Sequence, residues 1–492
     1  METRSTVRII KTELNNFKNV NYGEIKYMNY SSVEKKARLQ ENDIVGLYGQ
    51  NGSGKTAMIE ALDILRMVLS GLEIPYSEFE GLIDDNNGTS MSVTFFIDDN
   101  ENKYKAQYSF RLSKNLPERK IQVYQENLVY WRRGASWKTK RELSFVNPFY
   151  VSDAILSGAV AAIESDYMKY FKNIQVINSI QNLAIYCAQR NLSILFNDVA
   201  LKSFADSSHN DDEALILFSI IKGLSDFGKL YFQVVKVNQL GAINANALLP
   251  VNVHSETGNY IVQGCLPMFT SGHANIPEDM YEQLCHATKA INIALKAIVP
   301  NLQVDIQKVN EETDNKGRRF VQIDVYSVRD GKRFLTKYES EGIKRIISLL
   351  NYLIAFYNSA QICLVVDELD AGIFEYLLGE LLGVLKQEAK GQLIFTSHNL
   401  RILEKLDANN IICSTVNPDN RYIRLQGIEK NNNKRDFYIR AVVLGGQKED
   451  LYDDSDLQSI GYAFRKAGSS RQKVEINISP QFASFLNKAE NN

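Results

Sequence analysis

Asp43-Ile44-Val45-Gly46-Leu47-Tyr48 runs directly into Gly49-Gln50-Asn51-Gly52-Ser53-Gly54-Lys55-Thr56. The first six residues read as a short apolar strand. The next eight match G-x-x-x-x-G-K-[ST]. Residues 56–69 then carry Met58, Ile59, Leu62, Leu65 and Leu69 at helical spacing. Strand, glycine loop and helix in this order turn successive backbone amides and a helix N-terminus toward phosphates. Asn51, Gly52, Ser53 and Gly54 supply the cradle, Lys55 a cation for the β- and γ-phosphates, and Thr56 a hydroxyl for Mg2+. Alone, the loop implies a bound nucleoside triphosphate.

Two further strand ends carry polar groups. The apolar run 362–366 stops at Asp367-Glu368. Two acids ending a buried strand are costly unless they have a task. In a Walker-B reading Asp367 helps hold Mg2+ and Glu368 polarises the attacking water as general base; solvated acids at a strand end are the bland alternative. Residues 393–396 are a second apolar run, closed by Ser397-His398. His398 could contact the γ-phosphate and orient water, or could be an ordinary strand-end histidine. Glu339-Ser340-Glu341-Gly342-Ile343 precedes an apolar helix at 346–356. Ser340 reads as its N-cap, and the hydroxyl and exposed amides also suit an anion.

Outward from these motifs, 492 residues predict two or three structural units. With 45% hydrophobic and 23% charged residues the composition is that of a globular protein, and a net charge of −2 gives no global basic field toward nucleic acid or anionic membrane. Cys187, Cys265, Cys285, Cys363 and Cys413 are scattered without a CxxC pair, which argues against a disulfide framework or structural zinc. The first ten residues have no apolar signal core, and no run is long enough for a membrane span, so a cytoplasmic location is expected. Strands are expected at 7–14, 91–97, 103–112 and 121–131, a helical run at 152–237, a mixed stretch at 245–275 and a helix at 277–299. A hairpin is expected from 302–307 and 319–326, helices at 342–357 and 374–386, and a strand at 392–396. No repeat or long heptad pattern occurs.

Together these elements resemble an ABC-type ATPase of the RecF, structural-maintenance-of-chromosomes and OLD group. Walker A falls at 49–56, the signature at 339–343, Walker B at 362–368, the D-loop at 370–374 and the switch histidine at 398. The signature departs from LSGGQ but keeps Ser340 and Gly342. Asn16-Phe17-Lys18-Asn19 looks like the segment that lies near the nucleotide in this group, which implies nucleotide contacts for Lys18 and Asn19. Gln107 is the one candidate for the glutamine loop.

The resemblance implies an α/β fold, a P-loop ATPase head with a mainly helical insertion between two lobes. The partition is 1–150 for the Walker A lobe and its β-rich subdomain, 151–300 for the insertion, and 301–492 for the signature and Walker B lobe with a C-terminal extension. It implies ATP and Mg2+ as cofactors. It also implies a homodimer or higher homo-oligomer of head-to-tail heads, in which Ser340 of one copy completes the site of the other. Residues 438–468 have the flavour of compact ATPases of anti-phage systems such as PARIS, Septu and some retrons. Those work with a separate effector nuclease.

An OLD-type Toprim nuclease would have to follow the ATPase, and the 94 residues after His398 are too few. Asp453, Asp454 and Asp456 read as a solvated turn. The expected function is therefore an ATP-hydrolysing sensor or regulator of a partner nuclease. The alternative is a RecF-like repair ATPase that binds DNA directly, for which Arg132, Arg133, Lys138, Lys140 and Arg141 with Trp131 and Trp137 are the one basic run; a third reading is a nucleotide-gated scaffold with negligible turnover.

Overall fold

The computed structural model describes residues 5–27, 43–84, 87–134, 137–146, 186–187, 189–207, 212–236, 248–254, 261–267, 274–314, 317–428, 433–453 and 456–469. Two units divide the chain, Met1–Tyr452 and Asp453–Asn492. Among the described residues no helix is long and apolar enough to cross a membrane.

The first unit is α/β. Strand β3 (Asp43–Tyr48) is buried at all six positions, which is why its sequence is a near-continuous apolar run. Helix α1 (Lys55–Leu69) follows the glycine loop. β3 lies between β16 (Gln392–Thr396) and β17 (Ile411–Ser414), parallel to both. β15 (Cys363–Val366) pairs in parallel with the far edge of β16, and β8 (Phe232–Val235) pairs in parallel with β15. β18 (Tyr422–Arg424) closes the other edge antiparallel, giving the order β18-β17-β3-β16-β15-β8.

A second, fully antiparallel sheet runs β2-β1-β4-β5-β6-β7. It is built from β1 (Thr6–Phe17), β2 (Val20–Lys26), β4 (Thr89–Asp98), β5 (Lys103–Asn115), β6 (Lys120–Arg133) and β7 (Trp137–Val146). Its strands alternate buried and half-buried positions, as β5 shows, because one face packs on the core. Gln392 stitches the sheets together: its Oε1 accepts from Ile9 N at 3.0 Å and its Nε2 donates to Ile9 O at 2.8 Å. Beside it, Arg8 and Asp43 form an ion pair at 3.5 Å with side chains only 3% and 2% exposed.

Residues 151–185 lie outside the described residues. The described remainder of 151–300 holds α2 (Asp198–Ser207), α3 (Asp212–Asp226), β8, β9 (Leu248–His254), β10 (Ile261–Pro267), β11 (Ala274–Pro277) and α4 (Glu278–Ile298). Residues 232–235, expected within a helical run, are strand β8. A π turn at Phe227–Tyr231 ends the helix there, and Phe-Gln-Val-Val is a short apolar run whose period alone does not separate strand from buried helix. Glu126 of β6 anchors this region. Its buried carboxylate accepts from Tyr108 OH, Ser193 Oγ and Ile194 N, each at 2.7 Å.

The hairpin β12 (Leu302–Thr313) and β13 (Arg319–Arg329) forms as expected, joined by β11 and β14 (Lys332–Leu335). It leads into α5 (Glu341–Asn358); α6 (Glu375–Glu388), α7 (Leu400–Lys405) and α8 (Lys434–Leu444) complete the unit. In the second unit Asp456 caps α9 (Leu457–Ser469) by accepting from Gln458 N and Ser459 Oγ.

Breaking the Arg8–Asp43 pair on one side strands a buried charge. Arg8→Ala is expected to cost about 3–5 kcal/mol in urea unfolding, and Arg8→Met with Asp43→Leu to recover most of it. An unchanged urea midpoint for Arg8→Ala would show that the pair anchors nothing.

Candidate functional site

The parallel register sets the site. Val366 lies opposite Phe395, and Thr396 opposite Leu47, so β15, β16 and β3 end together. Ligands gather at such carboxyl ends in open α/β sheets. A cavity of about 260 Å³ opens there, lined by Lys18, Asn19, Asn51, Gly52, Gly54, Lys55, Thr56, Ala57, Asp367, Glu368, Thr396 and His398.

The loop is built from both sides. Gly49, Gly52 and Gly54 have φ of 150°, 79° and 90°. A Cβ at Gly49 would come within 2.0 Å of Ser414 Oγ, so only glycine fits. Ser53 Oγ bonds Gln50 O at 2.7 Å and also contacts Ser414 Oγ. Lys55 Nζ donates to the carbonyls of Gly49 and Gln50, both at 2.8 Å. Burial lowers the Lys55 pKa, against the pull of Asp367, Glu368 and Asp370. From behind, Tyr422 OH donates to Gly54 O at 2.6 Å. Arg421 donates to Thr415 O at 2.7 Å and to Asn19 O.

Lys18 and Asn19 sit in the β1–β2 turn. Lys18, at φ 55°, reaches Glu60 of α1 at 2.9 Å, and Asn19 Nδ2 donates to Gly52 O. Asn19 Oδ1 is buried without a hydrogen-bond partner.

Asp367 is 1% exposed. Burial raises its pKa, opposed by bonds from the hydroxyls of Thr396 and Thr56. Thr396 Oγ1 donates to Asp367 Oδ1 at 2.6 Å and accepts from Glu368 N at 2.7 Å. Glu368 has φ 47°, a left-handed conformation that a non-glycine residue holds only when its surroundings enforce it. Arg345 adds to that enforcement. It is 2% exposed, and its Nη2 donates to Asp367 O at 3.3 Å and Glu368 O at 3.2 Å. Burial pulls the Arg345 pKa down to about 10. His398 is exposed; its backbone N donates to Asp370 Oδ2 at 3.3 Å, and desolvation together with Lys55 lowers its pKa, favouring the neutral ring.

Ser340 and Gly342 are not in the cavity. Ser340 is exposed and caps α5, its Oγ accepting from Ile343 N at 3.4 Å. Gly342 packs on the D-loop, where a Cβ would meet Gly372 O at 2.3 Å. Gln107 does not line the cavity either; on β5 it donates to Ser92 Oγ at 2.9 Å. Thr396, Arg345, Ser414, Arg421 and Tyr422 are functional supports that motif reading missed. Arg345 alone left a signal, since it falls on the same helical stripe as Leu349 and Leu353.

These residues fit ATP with Mg2+. The loop amides and Lys55 would hold the phosphates, and Thr56, whose hydroxyl bonds Asp367, would hold the ion together with that carboxylate. Among the described residues no cluster of three His, Cys, Asp or Glu could hold a metal by itself, so these two ligands need phosphate oxygens and water to complete a shell. When bound, the ion would supply positive charge that neutralises the phosphates.

A family described as "AAA domain, putative AbiEii toxin, Type IV TA system" matches residues 44–404. The chain belongs to this family. The match spans the P-loop, Walker B and His398, and so covers every strand of the parallel sheet except β17 and β18, β3 lacking only its first residue. No curated protein sequence matches the chain. Among solved structures it is similar to an Smc head with an extended coiled coil bound to the C-terminal domain of ScpA, derived from Pyrococcus furiosus (12% identity, 85% of this chain, 96% of that chain, TM-score 0.36). It is similar to the SMC head domain from Thermotoga maritima (11%, 85%, 100%, 0.33) and to the recombination mediator protein RecF (11%, 86%, 99%, 0.34). Superposition this loose fixes no residue's role.

Two substitutions separate the supports. Tyr422→Phe removes the hydroxyl donor to Gly54 O, leaving it only the 3.4 Å bond from Met58 N, and is expected to weaken ATP binding by about 0.5–1.5 kcal/mol in calorimetry, with the fold unchanged. Gly342→Ala is expected to keep ATP affinity and lose turnover, because the D-loop must shift to admit a methyl group. Full turnover by Gly342→Ala would refute the contact's importance.

Proposed function

We propose that the chain is an ATP-hydrolysing, Mg2+-dependent ABC-type ATPase that pairs head to tail with a second copy of itself. Through that pairing it controls a separate effector, a nuclease, in cytoplasmic anti-phage defence. The observation that carries the pairing is the separation of Ser340 from the cavity. Lys55, Thr56, Asp367, Glu368 and His398 share one cavity, while the signature serine stands exposed at the N-terminus of α5, two residues before the Gly342 that packs on Gly372. A second copy turned head to tail would bring its Ser340 to the γ-phosphate. Tyr338, Phe374 and Tyr376, exposed by 70%, 72% and 54%, flank Ser340 and the D-loop and would be covered by that copy.

Glu368, held by Thr396 and Arg345, would accept the proton of the attacking water. Lys55 would carry charge toward the leaving oxygens, and neutral His398 would orient the water and the γ-phosphate. ATP binding would then favour the closed pair and hydrolysis would release it.

What supports the defence reading is the toxin in the family's description, together with the resemblance of residues 438–468 to compact defence ATPases. The alternative, direct DNA binding by 131–141, has less support. Lys105 Nζ stands 4.4 Å from the Trp131 ring and Arg133 5.2 Å from that of Trp137, so these cations already occupy faces that bases would stack on. Lys140 and Arg141 lie on β7.

Glu368→Gln is expected to lower kcat by about 10²–10⁴-fold and to trap an ATP-dependent dimer in sedimentation. Lys55→Ala or removal of Mg2+ with EDTA should abolish both turnover and dimer. A wild-type chain that stays monomeric in saturating ATP and Mg2+ sinks the head-to-tail reading. For the effector, co-expression with the adjacent gene should reduce phage plating, and Lys55→Ala should restore it; undiminished plating with the intact pair refutes the defence role.

A further inference from the structure

A second cavity, of about 300 Å³, opens between β2 and β18. Its polar lining includes Glu24, Lys26, Asn420, Arg424 and Lys448, and Tyr422 forms part of its wall. Three cations therefore face one carboxylate. That carboxylate is already answered, because Glu24 pairs with Lys11 at 2.9 Å and Lys26 at 3.0 Å. Asn420 Nδ2 is likewise engaged, by Glu449 at 2.7 Å. Arg424 and Lys448 make no ion pair among the described residues, although the charge of Lys448 is felt by the neighbouring Glu449, whose carboxylate is held by Asn417 and Asn420. Arg424 gives one donor to Lys26 O, which leaves most of its fork for something else, and burial has stripped it of part of its water. A planar guanidinium and an ammonium converging on a concave surface match the oxygens of a phosphate, and the ring of Tyr422 with Ile412 and Ile423 gives the rest of a ligand an apolar wall. The volume lies at the small end of small-molecule sites.

We propose that this cavity is a second ligand site, taking the terminal phosphate of a molecule of about mononucleotide size, and that its occupancy is coupled to the ATP cavity. The coupling has a physical route in shared elements. Tyr422 lines the second cavity, and its hydroxyl holds Gly54 O of the phosphate loop. Lys18 and Asn19, which line the first cavity, sit at the start of the strand that carries Glu24 and Lys26 to the second. Arg421 N, just before β18, bonds Tyr22 O of β2 at 3.1 Å, which ties the two strands. A phosphate that draws Arg424 and Lys26 toward each other tightens this pair of strands beneath the P-loop. By linkage, any gain in ATP affinity from the second ligand equals the gain in the second ligand's affinity from ATP. The proposal does not depend on the defence reading.

The test uses the full chain saturated with a non-hydrolysable ATP analogue and Mg2+, which fills the P-loop. Pyrophosphate, AMP, and a short oligonucleotide with or without a 5′-phosphate are then titrated by calorimetry. One additional site per chain is expected. Arg424→Gln and Lys448→Gln are each expected to weaken it about tenfold or more, the loss typical of a charge-assisted bond. Lys448→Gln should leave affinity for the ATP analogue alone unchanged. Binding of pyrophosphate or AMP identifies a free phosphorylated molecule as the source; binding of the 5′-phosphorylated oligonucleotide alone identifies a nucleic-acid end. No additional site, equal binding with and without the 5′-phosphate, or equal binding by the Lys448→Gln chain overturns the proposal. Should Arg424→Gln fail to fold, the exposed Lys448 carries the test.

Discussion

The parallel alignment of β3, β16 and β15 is the constraint on which the rest depends. Because these strands end at one level, the phosphate loop meets the Asp367-Glu368 pair and His398, although more than three hundred residues separate it from them in sequence. One hydroxyl then tunes the meeting. Thr396 Oγ1 gives its proton to Asp367 and takes one from Glu368 N, so the last residue of the central strand fixes both acids of its neighbour. A buried carboxylate without such a donor would favour its neutral form. The same hydroxyl helps hold Glu368 in a left-handed conformation that its own backbone resists.

The phosphate loop is stabilised in the same way, from outside itself. Its glycines permit the turn, but Ser414, Arg421 and Tyr422 on the antiparallel edge of the sheet hold it in place. Closing contacts across so many residues is costly in chain entropy. The buried core beneath the loop, where β3 and most of α1 are buried, offsets that cost. The loop is therefore preorganised by packing, with Lys55 held on its carbonyls.

Much of this was legible in the sequence because phosphate chemistry demands fixed local spacing. The octet 49–56, the acids at 367–368 and the histidine at 398 each announce themselves at a strand end, and the structure brings all three into one cavity. The strands of the antiparallel sheet were legible from their alternation. Thr396 was not, because a threonine closing an apolar strand looks like ordinary β propensity. Ser414, Arg421 and Tyr422 were not, because they act only through tertiary contact and follow no local pattern. β8 was hidden for another reason: four apolar residues after a helix carry no period long enough to announce a change of structure.

Ser340 stands at the head of the helix that braces Walker B. It caps α5, and α5 reaches both the D-loop and Walker B: Gly342 lies against Gly372 O, and Arg345 donates to the carbonyls of Asp367 and Glu368. The D-loop is tied in turn to His398 through Asp370. No part of this set can shift far alone, since the Gly342–Gly372 approach has no space to give and Arg345 is buried. A surface that presses on the exposed end of α5 therefore bears on the geometry of Glu368 in the same chain. One helix thus links the exposed Ser340 to the backbone of Glu368.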